Sequence, residues 1–353
     1  GFIWMATRYG LCKYDGYKVE VYKSNLYHPD LLTHNNVFCL ADDDNGNLWV
    51  GTQEGLNKVN KRTGQIRGYT VPLLPNNAIS CLLVTHDNQV WVGTDGGLCK
   101  YIPEKDTFET FDKISEAIGG RLGAIKSLFE DKDGDLWIGT WTDGLFRYSP
   151  SQDCLFVYPR INERNSAHVI YQDAVGNIWV GGWDCGLFLL HHPKDMEKVF
   201  YTSYVHEAGS ETSLSDNIVY SIVEDIHTRD LWIGTRSGLS IMHADRKDSF
   251  VNYKPRHSRN SIPCDEINSL LRDYAGNIWL ASIGGGVMLA DTRHLFFTRH
   301  SLNLEESDVP TSAVRAIFAD SENNLWLGTG TYGVAREDYV TGEMTFFTHI
   351  PEF

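Results

Sequence analysis

Asp43-Asp44-Asn45-Gly46-Asn47-Leu48-Trp49-Val50-Gly51-Thr52 is the stretch whose reading decides the fold. Gly46 is free to take positive φ, and Asp43 can accept hydrogen bonds from the turn backbone, so the first half is a tight turn. Residues 47–52 then read as a strand alternating around Trp49. Upstream, residues 36–41 form a short apolar strand. Downstream, Gln53-Glu54-Gly55 turns the chain into a third strand, 56–60. The Thr63-Gly64 turn leads to a fourth, 65–71. Four antiparallel strands joined by short turns make one unit.

The unit recurs. Its core is Gly/Asn-x-Leu/Ile-Trp-Val/Ile-Gly-Thr, with Gly-Leu shortly after. The tryptophans are Trp4, Trp49, Trp91, Trp137, Trp179, Trp232, Trp279 and Trp326, spaced by 45, 42, 46, 42, 53, 47 and 47 residues. Eight in-phase copies at this period are the mark of propeller blades. The turn recurs as Asp131/Gly134, Asp173/Gly176 and Asp273/Gly276, with Asn88 and Asn323 in place of the glycine, since asparagine tolerates the left-handed region. The expected fold is all-β: a β-propeller of four-stranded antiparallel blades carrying eight repeat motifs. A seven-bladed ring over residues 1–310 leaves 311–353 as an eighth repeat, opening a second propeller. An eight-bladed ring is the alternative. The chain opens inside a motif, at Gly1-Phe2-Ile3-Trp4, so the first blade lacks its inner strand and residues are expected upstream.

Composition narrows the function. With 46 acidic and 31 basic side chains the formal charge is −15, which repels phosphate backbones and anionic lipid. Direct nucleic-acid contact is therefore not expected, and no run is apolar enough to span a membrane. The seven cysteines are odd in number and scattered without a CxxC spacing, so they read as small buried residues. Asp131-x-Asp133-x-Asp135 looks like a calcium loop, but it lacks the glycine and distal glutamate and reads as a structural turn. No metal and no cofactor are expected. GxSxG, HExxH and phosphate-loop motifs are absent, and His191-His192 reads as solvated surface.

The column Cys39, Cys81, Ser127, Val169, Ser221, Ser269 and Ala316, ten or eleven residues before each tryptophan, is nearly all small. Crowding of inner strands near the axis explains it, and it supplies no histidine or carboxylate, which counts against a catalytic centre there. The repeated tryptophans read as packing between blades. Function belongs where the repeats differ, in the turn after Gly-Thr. There Trp141 and Trp183 are expected side by side on one rim, as faces for sugar rings, with Arg8 and Arg236 as polar partners. The other possibility is that loops 160–167 and 202–216 cover the tryptophans.

The strings from Gly1 to Gly16, Asp43 to Thr52 and Asp131 to Thr140 resemble repeats of the two-component regulator propeller family. The resemblance covers essentially the whole chain. It implies the periplasmic sensor of a Bacteroides-type hybrid histidine kinase/response regulator, binding an oligosaccharide and regulating polysaccharide-utilisation genes. It also implies a second propeller and kinase modules in the same polypeptide, and a homodimer. The fragment itself is expected to be non-enzymatic. A propeller glycan lyase or hydrolase and a protein-interaction scaffold are the alternatives.

Overall fold

The computed structural model describes residues 2–15, 17–25, 27–28, 30–161, 164–245, 248–255, 262 and 264–290, and then 314–320, 325–329, 334–338, 341 and 344–347. It forms two units. The first comprises residues 1–256 and 262–295, the second 257–261 and 296–353. Among the described residues the single helix is Lys113–Ile118, and none is long and apolar enough to cross a membrane.

The first unit holds seven antiparallel sheets in chain order, and the fold is a seven-bladed β-propeller. Blade 2 is typical, with strands Val37–Asp42, Asn47–Thr52, Gly55–Asn60 and Ile66–Tyr69 paired in that order. Blade 1 begins on its tryptophan strand, Ile3–Thr7, and has three strands; blade 7 also shows three, starting with Ile267–Arg272. The second unit holds one four-stranded sheet built around Leu325–Thr329.

Local chemistry explains each recurring residue. Asp43 Oδ1 accepts from the Asn45 and Asn47 amides at 3.0 and 2.7 Å, and Gly46 closes the turn at φ +80°. Asn88 takes the same left-handed conformation, at φ +63°; Asn323 lies outside the described residues. The other carboxylate oxygen of Asp43 accepts the Trp49 indole N–H at 2.9 Å. Asp131–Trp137, Asp173–Trp179, Asp273–Trp279 and Asp320–Trp326 repeat that bond at 2.8–3.0 Å. Thr52 Oγ1 donates to the Gly55 carbonyl at 2.8 Å and accepts the Glu54 amide at 3.2 Å, which pins the variable turn.

The second strand does not alternate as expected. All six residues of Asn47–Thr52 are buried, because the middle of each blade is covered on both faces by its neighbours. Trp137 packs into blade 5 among Ile170, Ile178, Val180 and Phe188, and Trp49 packs into blade 3 among Val90 and Val92. The tryptophans therefore join blade to blade.

Neighbouring blades also meet through their first strands. A Cβ on Gly51 would lie 2.4 Å from Cys39 Sγ in its own blade and 2.7 Å from Ile79 in the next; Gly93 is equally hemmed by Cys81 and Ile125. The small column is thus small because it sits over the Gly of Gly-Thr where the next blade closes on it.

Three expectations need correction or qualification. Cys154 is exposed, whereas Cys81, Cys99 and Cys185 are buried. His191 stacks on Phe200 with ring centroids 4.4 Å apart and bonds Thr202 at 2.9 Å, so only His192 is open surface. The Asp131/Asp133/Asp135 cluster is already answered by the Lys194 ammonium from blade 5, at 2.7, 3.3 and 2.5 Å. Arg147 adds a buried pair with Asp135 at 2.7 Å. That cluster is an inter-blade clamp.

Candidate functional site

The site begins with a break in strand register. Opposite the second strand, the first strand slips by one residue between Val37 and Cys39, Ile79 and Cys81, Ile125 and Ser127, Val219 and Ser221, and Ile267 and Ser269. Each slip leaves one residue without a ladder partner, and such a β-bulge re-aims that side chain. The bulged residues are Phe38, Ser80, Lys126, Tyr220 and Asn268. His168 holds the same repeat position in blade 5, just ahead of Val169–Gln172. Residues before the bulge, such as Ile79, Ile125 and Val219, are fully buried, while Phe38 is half-exposed. One variable column thus emerges between two fixed ones.

The rim turns of blades 4 and 5 lie over this column. Both are one residue longer than Gln53-Glu54, reading Trp141-Thr142-Asp143 and Trp183-Asp184-Cys185. Thr140 Oγ1 still bridges its turn, donating to the Gly144 carbonyl and accepting the Asp143 amide, both at 2.9 Å. Asp143 in turn accepts the Gly123 amide at 2.8 Å. In blade 5, where Gly182 replaces the threonine, Asp184 adopts φ +58° and the Trp183 amide reaches Ser166 Oγ at 3.3 Å. Arg164 pairs with Asp184 at 2.7 Å.

The structure brings Trp141 and Trp183 together, with ring centroids 5.1 Å apart and planes inclined at 53°. Their planes make a V, with Trp141 37% exposed and Trp183 half-buried. His168 completes the cluster at 6.1 Å from Trp141 and 5.6 Å from Trp183. Tyr220 follows at 6.0 Å from Trp183 and 6.2 Å from His168. The Lys126 ammonium lies 5.5 Å from the Trp141 ring centre and 3.1 Å from Asp95.

The two arginines fare differently. Arg236, one blade beyond Trp183, is exposed and held by Asp216 at 3.4 Å. Arg8 is exposed on blade 1, three blades from Trp141, and makes no contact with the cluster among the described residues.

Electrostatics follow from burial. Burial, and secondarily the Lys126 ammonium, push His168 down to about 4, so the imidazole is neutral near pH 7. Its Nδ1 is buried without a hydrogen-bond partner among the described residues. Burial first, and then its 2.5 Å bond to Glu266, raise the Tyr220 hydroxyl, which stays protonated. The arrangement offers stacking faces and neutral hydrogen-bonding groups. No group of three or more metal-ligating side chains lies together among the described residues.

Lys126, His168 and Tyr220 are not legible in the sequence by residue type, because the uniform feature there is the small column one position later. The readable signal was the variability of Phe38, Ser80, Lys126, His168, Tyr220 and Asn268 between two uniform columns.

The comparisons fit this geometry. The two component regulator propeller family matches at residues 31–54, 73–96, 119–142 and 308–331. Each of the first three segments runs from an inter-blade loop through the turn and tryptophan strand into the rim turn. Four segments of the chain are thus similar to two component regulator propeller repeats. Blades 1, 5, 6 and 7 carry no match; in blades 5 and 7 the Gly-Thr of the motif is replaced by Gly181-Gly182 and Ala281-Ser282. No curated relative matches the chain.

Among solved structures, PorZ, a surface component of the type-IX secretion system of Porphyromonas gingivalis, is 17% identical with a TM-score of 0.58. The match covers 96% of this chain and 50% of PorZ. Virginiamycin B lyase from Staphylococcus aureus is 12% identical with a TM-score of 0.57, covering 87% and 94%. The extracellular domain assigned to a hybrid two component system of B. thetaiotaomicron is 19% identical, covering 98% and 64%, at a TM-score of 0.47. Identities this low speak to the fold alone. The chain spans less than two thirds of the length of that last domain.

Proposed function

We propose that this chain is the extracytoplasmic, periplasmic ligand-sensing part of a hybrid two-component signalling protein. In this reading it has no turnover of its own. An oligosaccharide binds on the Trp141–Trp183 pair, and a histidine kinase elsewhere in the polypeptide responds by regulating polysaccharide-utilisation genes. The family of the repeats supports the regulatory part. The single observation that carries the ligand part is the V of two indoles, 5.1 Å apart, on rim turns outside the strand position that the repeated tryptophans hold. Flat aromatic faces suit the C–H faces of sugar rings.

Signalling on this reading is a population shift. Ligand held on one propeller, with its second propeller and a homodimeric partner, moves the kinase equilibrium by no more than its differential affinity for the two states. The test is a thermal-shift screen against oligosaccharides, since binding to the folded state raises stability by mass action. Trp141→Ala combined with Trp183→Ala should weaken binding at least about tenfold while unfolding stays cooperative. Unchanged affinity in the folded double variant moves the site elsewhere. Cleavage of the glycan, abolished by a carboxylate substitution, establishes the lyase or hydrolase alternative instead.

A further inference from the structure

We infer that the site selects an uncharged, polyhydroxylated ligand, with the His168 imidazole taking one ligand hydroxyl. This rests on the ligand-binding reading of the Trp141–Trp183 pair. The inference follows from which groups around the pair are occupied and which one is not.

Each charged side chain there already has a partner. Lys126 is paired with Asp95 at 3.1 Å, and Arg236 with Asp216 at 3.4 Å. Glu266 receives the Tyr220 hydroxyl at 2.5 Å, and Asp143 receives the Gly123 amide at 2.8 Å. With the Arg164–Asp184 pair beside Trp183, five carboxylates stand against three cations, so a uronate, sulfate or phosphate arrives in a negative field and must break an ion pair to be held. A cationic ligand fares no better. The Lys126 ammonium already lies 5.5 Å from the Trp141 ring centre, where an organic cation would stack.

His168 is the exception. It touches both indoles and Tyr220, yet neither ring nitrogen makes a hydrogen bond among the described residues. Its backbone is fixed, with the amide donating to the Gly181 carbonyl at 2.8 Å, so the ring is held in place without being satisfied. A neutral imidazole has one donor and one acceptor, which matches a hydroxyl that both donates and accepts. A site built to bond a hydroxyl in this way rejects analogues that lack it, because the buried polar group is then left unpaired.

The experiment measures affinity by titration calorimetry at pH 7 with neutral gluco-, galacto-, arabino- and xylo-oligosaccharides and with oligogalacturonate of matched length. Wild type, Trp141→Ala and His168→Phe are compared. His168→Phe keeps a ring in the stack and removes both nitrogens. Binding of a neutral member, none of oligogalacturonate, and a loss of about tenfold in both variants are expected, with the unfolding midpoint of His168→Phe little changed. Should oligogalacturonate bind, with affinity lost in Trp141→Ala, the ligand site stands and the neutral-ligand inference falls. Neutral binding weakened by Trp141→Ala but untouched by His168→Phe removes the role of His168. If no member binds, or Trp141→Ala has no effect, the reading beneath the inference fails with it.

Discussion

The tryptophans of this protein divide into two sets with opposite environments. Trp49 and Trp137 are fully buried, each donates its N–H to an aspartate six residues earlier, and each packs into the following blade. Trp141 and Trp183 stand only a few residues beyond Trp137 and Trp179, but on turns, and their rings meet one another and His168. The residue type is the same; the position within the repeat decides its work. A side chain required at one place in every blade serves the contact between blades. One that occurs only on the longer turns of blades 4 and 5 is free of that demand.

The sharpest way to break this division is to truncate one member of each set. Trp49→Ala removes a fully buried indole and leaves the Asp43 carboxylate short of a partner, so it should cost about 3–5 kcal/mol. Trp141→Ala should cost less than about 1 kcal/mol, because its ring is on the rim and partly in water. Chemical denaturation at pH 7 reads both. A loss at Trp141 equal to that at Trp49 would place the rim pair among the packing residues.

The floor of the rim cluster offers a second contrast, one of pH. His168 is held at about 4 against an ordinary value of 6.5, mainly by burial. Between those values the unfolded chain binds a proton that the folded state refuses, so stability is lost as pH falls from about 6.5 to about 4. Below about 4 the loss from this group is complete, on the order of 3 kcal/mol. Above 6.5 both states are neutral and it contributes nothing. His168→Phe should flatten this part of the stability–pH curve. Equal acid sensitivity in variant and wild type would show that the imidazole protonates as readily in the folded protein as out of it.

How much of this was legible depends on which residues repeat. The blades were readable because Asp, Gly, Trp and Gly-Thr each answer a fixed demand: the turn, its closure, the inter-blade contact and the pinning of the next turn. The rim pair was readable as a departure from that pattern, and the structure does set Trp141 beside Trp183. The floor was not. A strand read by simple alternation gives adjacent residues opposite faces, and a bulge breaks that rule without demanding any residue type. Lys126, His168 and Tyr220 share a position that no composition marks. Arg236 shows another limit: its exposure was predictable from a turn, whereas its ion pair with Asp216 depends on how the preceding inter-blade loop returns.

The smallest expected effect separates two members of the packing set itself. In blade 6 the turn is one residue longer: Asp225 lies seven residues before Trp232, and Arg229 takes the left-handed conformation at φ +63°. Asp225 still accepts the His227 amide at 2.7 Å, so the turn is made, but it no longer reaches the indole. Trp232 Nε1 is left buried without a hydrogen-bond partner among the described residues. Trp49→Phe and Trp232→Phe remove similar volume from similar surroundings, yet only the first breaks a bond to a carboxylate. The second removes a donor that was unsatisfied. Trp49→Phe should therefore be the more destabilising, by about 1–2 kcal/mol. Equal losses in paired denaturation curves would mean that the aspartate–indole bond adds nothing beyond packing. The recurrence of Asp six residues before tryptophan would then belong to the turn alone.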